Sequence, residues 1–451
     1  MAPRGRGNSA TVIDYVRSSL WPLPAFAIVV ALAAAVTLTT IDRRVEGLPD
    51  VYASLIFGGD AAAARSVLES VAGSVITVTA LTFSLTVVTL QLASSQFSPR
   101  LLRMFTRDRV VQGTLSLFLG TFVFTLTVLR VVRSASDSGP EFVPRLSVTA
   151  TYVLTLATVL GLVLFLAHLA REIRVETMLH AVRREATDNA DSVLAGSETT
   201  DNHVRIPPVA APLLSPKSGF VGQVTAAQIV EMAAELDAVV VVTGPGSSVI
   251  QGVPAGMAWT VQTQAAPSDA TRERLQNGFA SAVNVTYERT GVDDPSFGLR
   301  QLSDVAAKAL SPGVNDPTTA THALSHSSAL LCRLVHLPLG DELIRDSTNT
   351  VRVIVRRPTL PDLLHLALDQ PRRYGIDEPQ VVERLFCLLR EVAWTADTTN
   401  HHDAVRNELL KLDTAMAAAH LDAAQTARYA ALGSTVEAAL DGRWPGLDSS
   451  T

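Results

Sequence analysis

Residues 71–93 read VAGSVITVTALTFSLTVVTLQLA, an apolar run whose only polar side chains are hydroxyls and one amide. A helix needs about 20 residues to cross a hydrocarbon core of about 30 Å, and this run is long enough. Lipid offers no partners for free backbone N–H and C=O groups, so such a segment must be a helix. At about 100° per residue, its polar groups fall on two stripes. Ser74, Thr77, Ser84 and Gln91 share one side, and Thr79, Thr82, Thr86 and Thr89 share roughly the opposite one. Small hydroxyl residues let helices approach closely and hydrogen-bond across the contact, and threonine also returns its hydroxyl to its own helix. The competing reading is that one stripe lines a hydrated path completed by the same helix in other copies. Both stay open on sequence alone.

Three more runs of the same kind stand around this one: Trp21–Ile41, Thr114–Val132 and Ser147–His168. None carries an Asp, Glu or Lys in its middle. Arginine placement predicts the topology, because cytoplasmic loops are rich in Lys and Arg. Arg4, Arg6 and Arg17 precede the first run. Arg100, Arg103, Arg107 and Arg109 fill the link between the second and third, and Arg171, Arg174, Arg183 and Arg184 follow the fourth. The alternate loops carry Asp42, Glu46, Asp50, Asp60 and Glu69, then Asp137 and Glu141. Both termini are therefore expected in the cytoplasm, in a multi-pass protein of the inner (plasma) membrane. The first run is too long, and lacks the small-residue cleavage site, for a cleaved signal peptide.

Composition agrees. Of 451 residues, 47% are hydrophobic and 18% charged, with a formal net charge of −6 and a mean hydropathy of +0.26. No basic face emerges in the C-terminal region, so a nucleic-acid partner is not expected. Cys332 and Cys387 fall in the expected cytoplasmic part and read as lone thiols rather than a disulfide. No ionisable residue sits mid-span, where proton-coupled carriers usually place one, and no inverted repeat or broken span is visible. A neutral, hydroxyl-lined pore passes both tests.

The link after the second run contains Ser98-Pro99, a helix start with proline at the first helical position. Arg100, Arg103 and Arg107 would share one face of that helix, suited to anionic headgroups at the membrane surface, or they serve only to set topology. Here the chain becomes recognisable. The strings Leu90-Gln91-Leu92-Ala93-Ser94-Ser95-Gln96-Phe97-Ser98-Pro99-Arg100-Leu101-Leu102 and Ala309-Leu310-Ser311-Pro312-Gly313-Val314-Asn315-Asp316-Pro317-Thr318-Thr319-Ala320 resemble a bacterial family of predicted membrane proteins, domain of unknown function 2254. The resemblance runs over nearly the whole chain and implies four spans with a cytoplasmic domain. It implies no activity.

Beyond the spans, residues 171–205 read as a helix extending the fourth span, followed by a linker that is proline-rich from Pro207 to Pro216. Residues 206–265 read as a small β-rich module, barrel-like, with strands at Gly219–Val224, Ala238–Thr243 and near Ser248–Ile250 around a helix at Ala226–Leu236. Residues 266–445 read as mainly helical, with strands near Val283–Tyr287 and Thr350–Arg356. Gly244-Pro245-Gly246-Ser247-Ser248 invites comparison with a phosphate loop but lacks the following Lys and a clear helix. Asp316 and Pro317 read as a helix cap and first turn. Asp304, Asn315 and Asp316 are the candidates for a site in this domain, and Asp293 and Asp294 add carboxylates without a metal-ligand spacing. His322 and His326 are four apart, as zinc ligands often are, but no third ligand is visible. His401-His402-Asp403 reads as the start of a helix at Ala404. No metal, cofactor or catalytic set is expected, so an enzyme has no residue support.

The sequence thus predicts an α-helical membrane protein of four transmembrane helices, with a 20-residue N-terminal tail and a C-terminal cytoplasmic α+β domain containing a small β-rich module. It is expected to form a homo-oligomer in the lipid bilayer, because the two-sided second span needs more partners than one chain supplies. The leading function is a channel-like permeation protein for ions or small solutes, gated or assembled by its cytoplasmic domain. The alternative is a membrane-anchored regulatory or scaffold protein with no transport activity.

Overall fold

The computed structural model describes residues 21–44, 57–96, 108–133, 141–172, 174–262, 264–419 and 421–444. The chain divides into two compact units that meet in sequence at Arg174 and Val175. The first holds four helices long and apolar enough to cross a membrane: α1 (Pro22–Arg44), α2 (Ala61–Gln96), α3 (Arg109–Leu129) and α4 (Arg145–Glu172). Helix α3 packs on α1, α2 and α4 and is the most buried of the four, whereas only 11% of the apolar window of α4 is covered. The outward residues of α4 include Tyr152, Leu156, Leu160 and Leu164, each more than half exposed. An apolar face of this extent is unstable in water and marks a membrane or protein contact.

Helix α2 begins ten residues before the hydropathy run. Arg65 and Glu69 interrupt the apolar pattern, but Ala61–Ala64 favours helix and the start is capped. The Asp60 carboxylate accepts from Ala63 N–H at 2.8 Å, and Glu141 accepts from Ala61 N–H at 3.0 Å. Helix α3 likewise starts earlier than the hydropathy suggests, because Asp108 caps it. The core of this unit runs through Ala35, Leu68, Phe124, Val128 and Val148.

The second unit begins with α5 (Val175–Leu194), a helix separate from α4 rather than its continuation. It continues with β1 (Ala211–Leu214), β2 (Gly219–Val224), α6 (Ala226–Glu235), β3 (Ala238–Val242), β4 (Ser248–Val249), β5 (Pro254–Thr260), α7 (Asp269–Ala282) and β6 (Val283–Thr286). Helices α8 (Phe297–Ala309) and α9 (Pro317–Leu334) precede β7 (Glu342–Arg345) and β8 (Val351–Val355). Four helices close the unit: α10 (Leu360–Gly375), α11 (Pro379–Thr395), α12 (Thr399–Ala417) and α13 (Ala423–Leu440).

The strands make two open sheets rather than a barrel. One has the order β1-β5-β3-β8-β7 and the other β4-β2-β6. Strands β7 and β8 come from far beyond residue 265, so the strands of 206–265 do not close a module on their own. The pair β3–β8 is parallel, with Val240 opposite Val353, and a parallel neighbour needs a long crossover. Strand β3 is buried throughout. Val240, Val242, Val353 and Val355 point to one face, where Ile229, Leu275 and Phe279 of α6 and α7 cover them. Val239, Val241, Ile354 and Trp259 point to the other, covered by Val204, Ile206 and Ala210. The stretch read as a linker therefore roofs the sheet and supplies its edge strand β1.

Candidate functional site

The two polar stripes of α2 have opposite fates. Thr79, Thr82, Thr86 and Thr89 are buried in the four-helix unit, while Ser74, Thr77, Ser84 and Gln91 are exposed. The buried stripe is mostly satisfied by its own helix. Thr79 donates to Val75 O at 2.7 Å, Thr86 to Thr82 O at 2.8 Å and Thr89 to Leu85 O at 2.9 Å. The exception is Thr82, fully buried and without a partner for its hydroxyl among the described residues. Neighbouring helices add further hydroxyls to the same interior. Thr121 and Thr125 of α3 and Thr158 of α4 are buried, and Thr158 donates to the Thr121 hydroxyl at 3.2 Å across the α3–α4 contact.

The exposed stripe is longer than the hydropathy run suggested. Ser66, Ser70, Gly73, Thr77, Ala80, Ser84, Val87 and Gln91 are all exposed, in steps that alternate four and three. Seven-residue periodicity of this kind keeps one seam facing a partner helix in a left-handed crossing. Its first members lie outside the apolar run, which is why sequence reasoning began the stripe only at Ser74.

Both ends of the bundle carry an engaged carboxylate, buried at Asp42 and half-buried at Asp108. Asp42, at the end of α1, accepts from Leu146 N–H at 2.9 Å, Ser147 N–H at 3.1 Å and the Ser147 hydroxyl at 2.6 Å, capping α4. At the other end, Asp108 accepts from Val110 N–H at 2.7 Å and stands 2.5 Å from Nε2 of His168. Arg100, Arg103 and Arg107 lie outside the described residues, and Arg109 is the exposed first residue of α3.

In the C-terminal unit, Asn315 and Asp316 form the turn between α8 and α9, with Asn315 exposed at a φ of +46°. Asp316 caps α9: it accepts from Thr319 N–H at 3.1 Å and the Thr319 hydroxyl at 2.6 Å. Those bonds hold its carboxyl below the usual range. Asp304 is half-buried in the body of α8, so a different element positions it. Asp294 is buried and engaged elsewhere: Arg289 donates to it at 2.7 Å, and the Ser296 hydroxyl at 2.6 Å. The glycines of the phosphate-loop-like string answer to close packing. A Cβ at Gly244 would lie 1.9 Å from Arg356 O, and one at Gly246, whose φ is +82°, would lie 2.1 Å from Asp294. His401 does not precede a helix; α12 starts at Thr399 with Thr398 as its cap, and His401 is buried in the first turn.

Sequence reasoning missed the buried Asp341. It accepts from His203 Nδ1 and from Val204 N–H, each at 2.8 Å, and pairs with Arg356, whose other nitrogen donates to Val204 O at 2.9 Å. This network ties the stretch after α5 to the ends of β7 and β8. No local pattern announces it, because its members are spread over the whole unit.

Four apolar helices followed by a unit of helices and small sheets define the class, a membrane protein with a large extramembrane part. The chain belongs to a family of predicted membrane proteins, domain of unknown function 2254, whose model matches residues 17–391. Uncharacterised proteins of Mycobacterium tuberculosis and Mycobacterium bovis are each 35% identical over 405 residues, covering 88% of this chain and 76% of the relative. No solved structure matches.

Proposed function

We propose that the protein is an oligomeric, channel-like permeation protein of the inner membrane, in which the α2 helices of several copies surround a shared path. One observation carries this reading: the stripe of Ser70, Thr77, Ser84 and Gln91 lies exposed on a helix whose opposite stripe is already buried. Thr77 returns its hydroxyl to Gly73 O at 2.7 Å, but the Gln91 amide has two donors and an acceptor. Such groups are costly against lipid and well served by water or by a second copy. The small residues between them, Gly73 and Ala80, let helices approach closely. The arginine-rich ends favour cytoplasmic termini, which would put the α+β unit in the cytoplasm, where it gates or assembles the path.

Ion flux through purified protein in liposomes tests this, across a panel of monovalent and divalent ions. Selective or saturable flux that Ser84→Leu abolishes and Thr86→Val leaves intact supports the path. Well-folded oligomers that pass no ion under any gating condition tried would favour the membrane-anchored scaffold instead.

A further inference from the structure

One corner of the C-terminal unit turns aliphatic side chains into solvent. Leu214 ends β1, and the turn between β4 and β5 runs Ile250-Gln251-Gly252-Val253. Leu214 stands opposite Pro254 in the β1–β5 ladder, which brings the two segments together at one tip. Leu214 is 38% exposed, Ile250 56% and Val253 48%, and Pro254 beside them is exposed as well. The next residue inward on β1, Leu213, is buried in the core.

The backbone of this tip is bonded within the fold. Gly252 N–H donates to Ser215 O at 3.0 Å, Ser215 N–H to Val253 O at 2.9 Å, and Val253 N–H to Ile250 O at 3.0 Å. Gln251 N–H donates to the Ser218 hydroxyl at 2.9 Å, and the Ser215 hydroxyl to Lys217 O at 2.7 Å. The Gln276 amide of α7 takes both backbone groups of Leu214, accepting from its N–H at 2.7 Å and donating to its carbonyl at 2.9 Å. Backbone must be satisfied in this way before it can approach lipid, and Leu214 has no group left for an added strand. From Leu214 to Gly219 and from Val249 to Pro254 the one charged residue is Lys217, which is exposed. Carboxylates stand to the side on α7, where Asp269 and Glu273 line a hollow beside Pro212 and Leu214, and Arg272 pairs with Asp269 at 3.2 Å.

We propose that this tip dips into the surface of a lipid bilayer, with Leu214, Ile250 and Val253 at the apolar boundary and Lys217 on anionic headgroups. Lipid accepts aliphatic side chains without asking for polar partners, and such binding grows with the apolar area buried and with attraction to anionic lipid. A lysine near an anionic leaflet is attracted, and two loops free of Asp and Glu are not repelled. The unit starts at Val175, three residues after α4 ends at Glu172. That tether keeps a membrane surface at high effective concentration, so a small apolar tip suffices. The contact needs the four apolar helices to lie in lipid and is independent of any permeation.

Fluorescence quenching in nanodiscs tests the contact. The full-length chain, with Cys332→Ala and Cys387→Ala, carries an environment-sensitive fluorophore on Ile250→Cys. The discs are phosphatidylcholine with or without phosphatidylglycerol, each with a spin-labelled lipid as quencher. Both faces of a disc are alike, so the result does not depend on the side of the membrane on which the unit lies. The expected result is blue-shifted emission quenched by the labelled lipid, more strongly in the anionic discs. Val253→Asp should abolish the quenching, and Lys217→Glu should cancel the anionic preference. The same fluorophore on Leu410→Cys, a position 64% exposed on α12, should stay unquenched. Thermal midpoints check that each variant is folded. An Ile250→Cys fluorophore unquenched in both discs overturns the proposal, as does equal quenching at Leu410→Cys. A blue shift without quenching by lipid assigns the tip to a protein surface and overturns it too.

Discussion

Ser84 and Thr86 are two residues apart on α2 and face opposite ways: Ser84 is exposed, whereas Thr86 is buried and donates to the carbonyl of Thr82 at 2.8 Å. Their substitutions should therefore separate. Thr86→Val removes a self-satisfied hydroxyl and should change stability by less than about 1 kcal/mol. Ser84→Leu places bulk on the small-residue seam and should disrupt oligomers, read by cross-linking or light scattering in detergent. Equal effects from both would argue against a seam on this face.

Thr82 is the counterpart case. Its hydroxyl is fully buried with no partner among the described residues, and a buried unsatisfied polar group costs about 1–3 kcal/mol. Thr82→Val keeps the shape and removes that group, so the thermal midpoint in detergent should rise. A fall would mean that the hydroxyl is engaged when the protein is assembled.

Asp42 links α1 to the start of α4 through three donors. Hydrogen bonds to a charged group contribute about 1.5–3 kcal/mol, so Asp42→Ala should lower stability by that order. Ser147→Ala removes only one donor and should cost less. The comparison is made by thermal unfolding of both variants under one detergent condition.

Asp341 is wholly buried against Arg356. Removing one member of a buried pair strands the other and costs about 3–5 kcal/mol. Arg356→Ala should accordingly be the most destabilising of these changes, with proteolysis appearing first in the stretch around Val204 that the network holds. Resistance equal to the unaltered chain would assign the tie to packing alone.

His401 is buried with no partner for Nδ1 among the described residues, and burial lowers its pKa below 6.5, opposed by Asp201 and Asp397. The unfolded chain then takes up a proton at higher pH than the folded one does. Stability should be present above about pH 6.5 and decline as pH falls below it. His326 is shifted the same way, so His401→Gln should reduce the slope without abolishing it. Unfolding midpoints between about pH 7 and 5 measure this.

The four apolar helices were legible because lipid imposes one rule on a whole segment, and that rule leaves a contiguous mark. Their ends were not. Asp60 and Asp108 start α2 and α3 through caps, and Arg65 and Glu69 interrupt hydropathy without interrupting the helix. Strand β3 was legible as five consecutive buried residues, yet its parallel partner β8 lies more than a hundred residues away. The proline-rich stretch before it gave no sign that it would form β1. At the candidate sites, both hydroxyl stripes of α2 followed from periodicity, but nothing local said which would be buried.

By itself, then, the sequence determined four apolar helices, a C-terminal α+β part, the family, and two polar stripes on α2. These are local properties, set by hydropathy, periodicity and turn chemistry within windows of a few turns. Tertiary structure alone decided that Thr86 faces inward and Ser84 outward, that Asp341 meets Arg356, and that Glu176 lies between His322 and His326. Each depends on which distant elements pack together, and packing is settled by the whole chain burying its apolar surface at once.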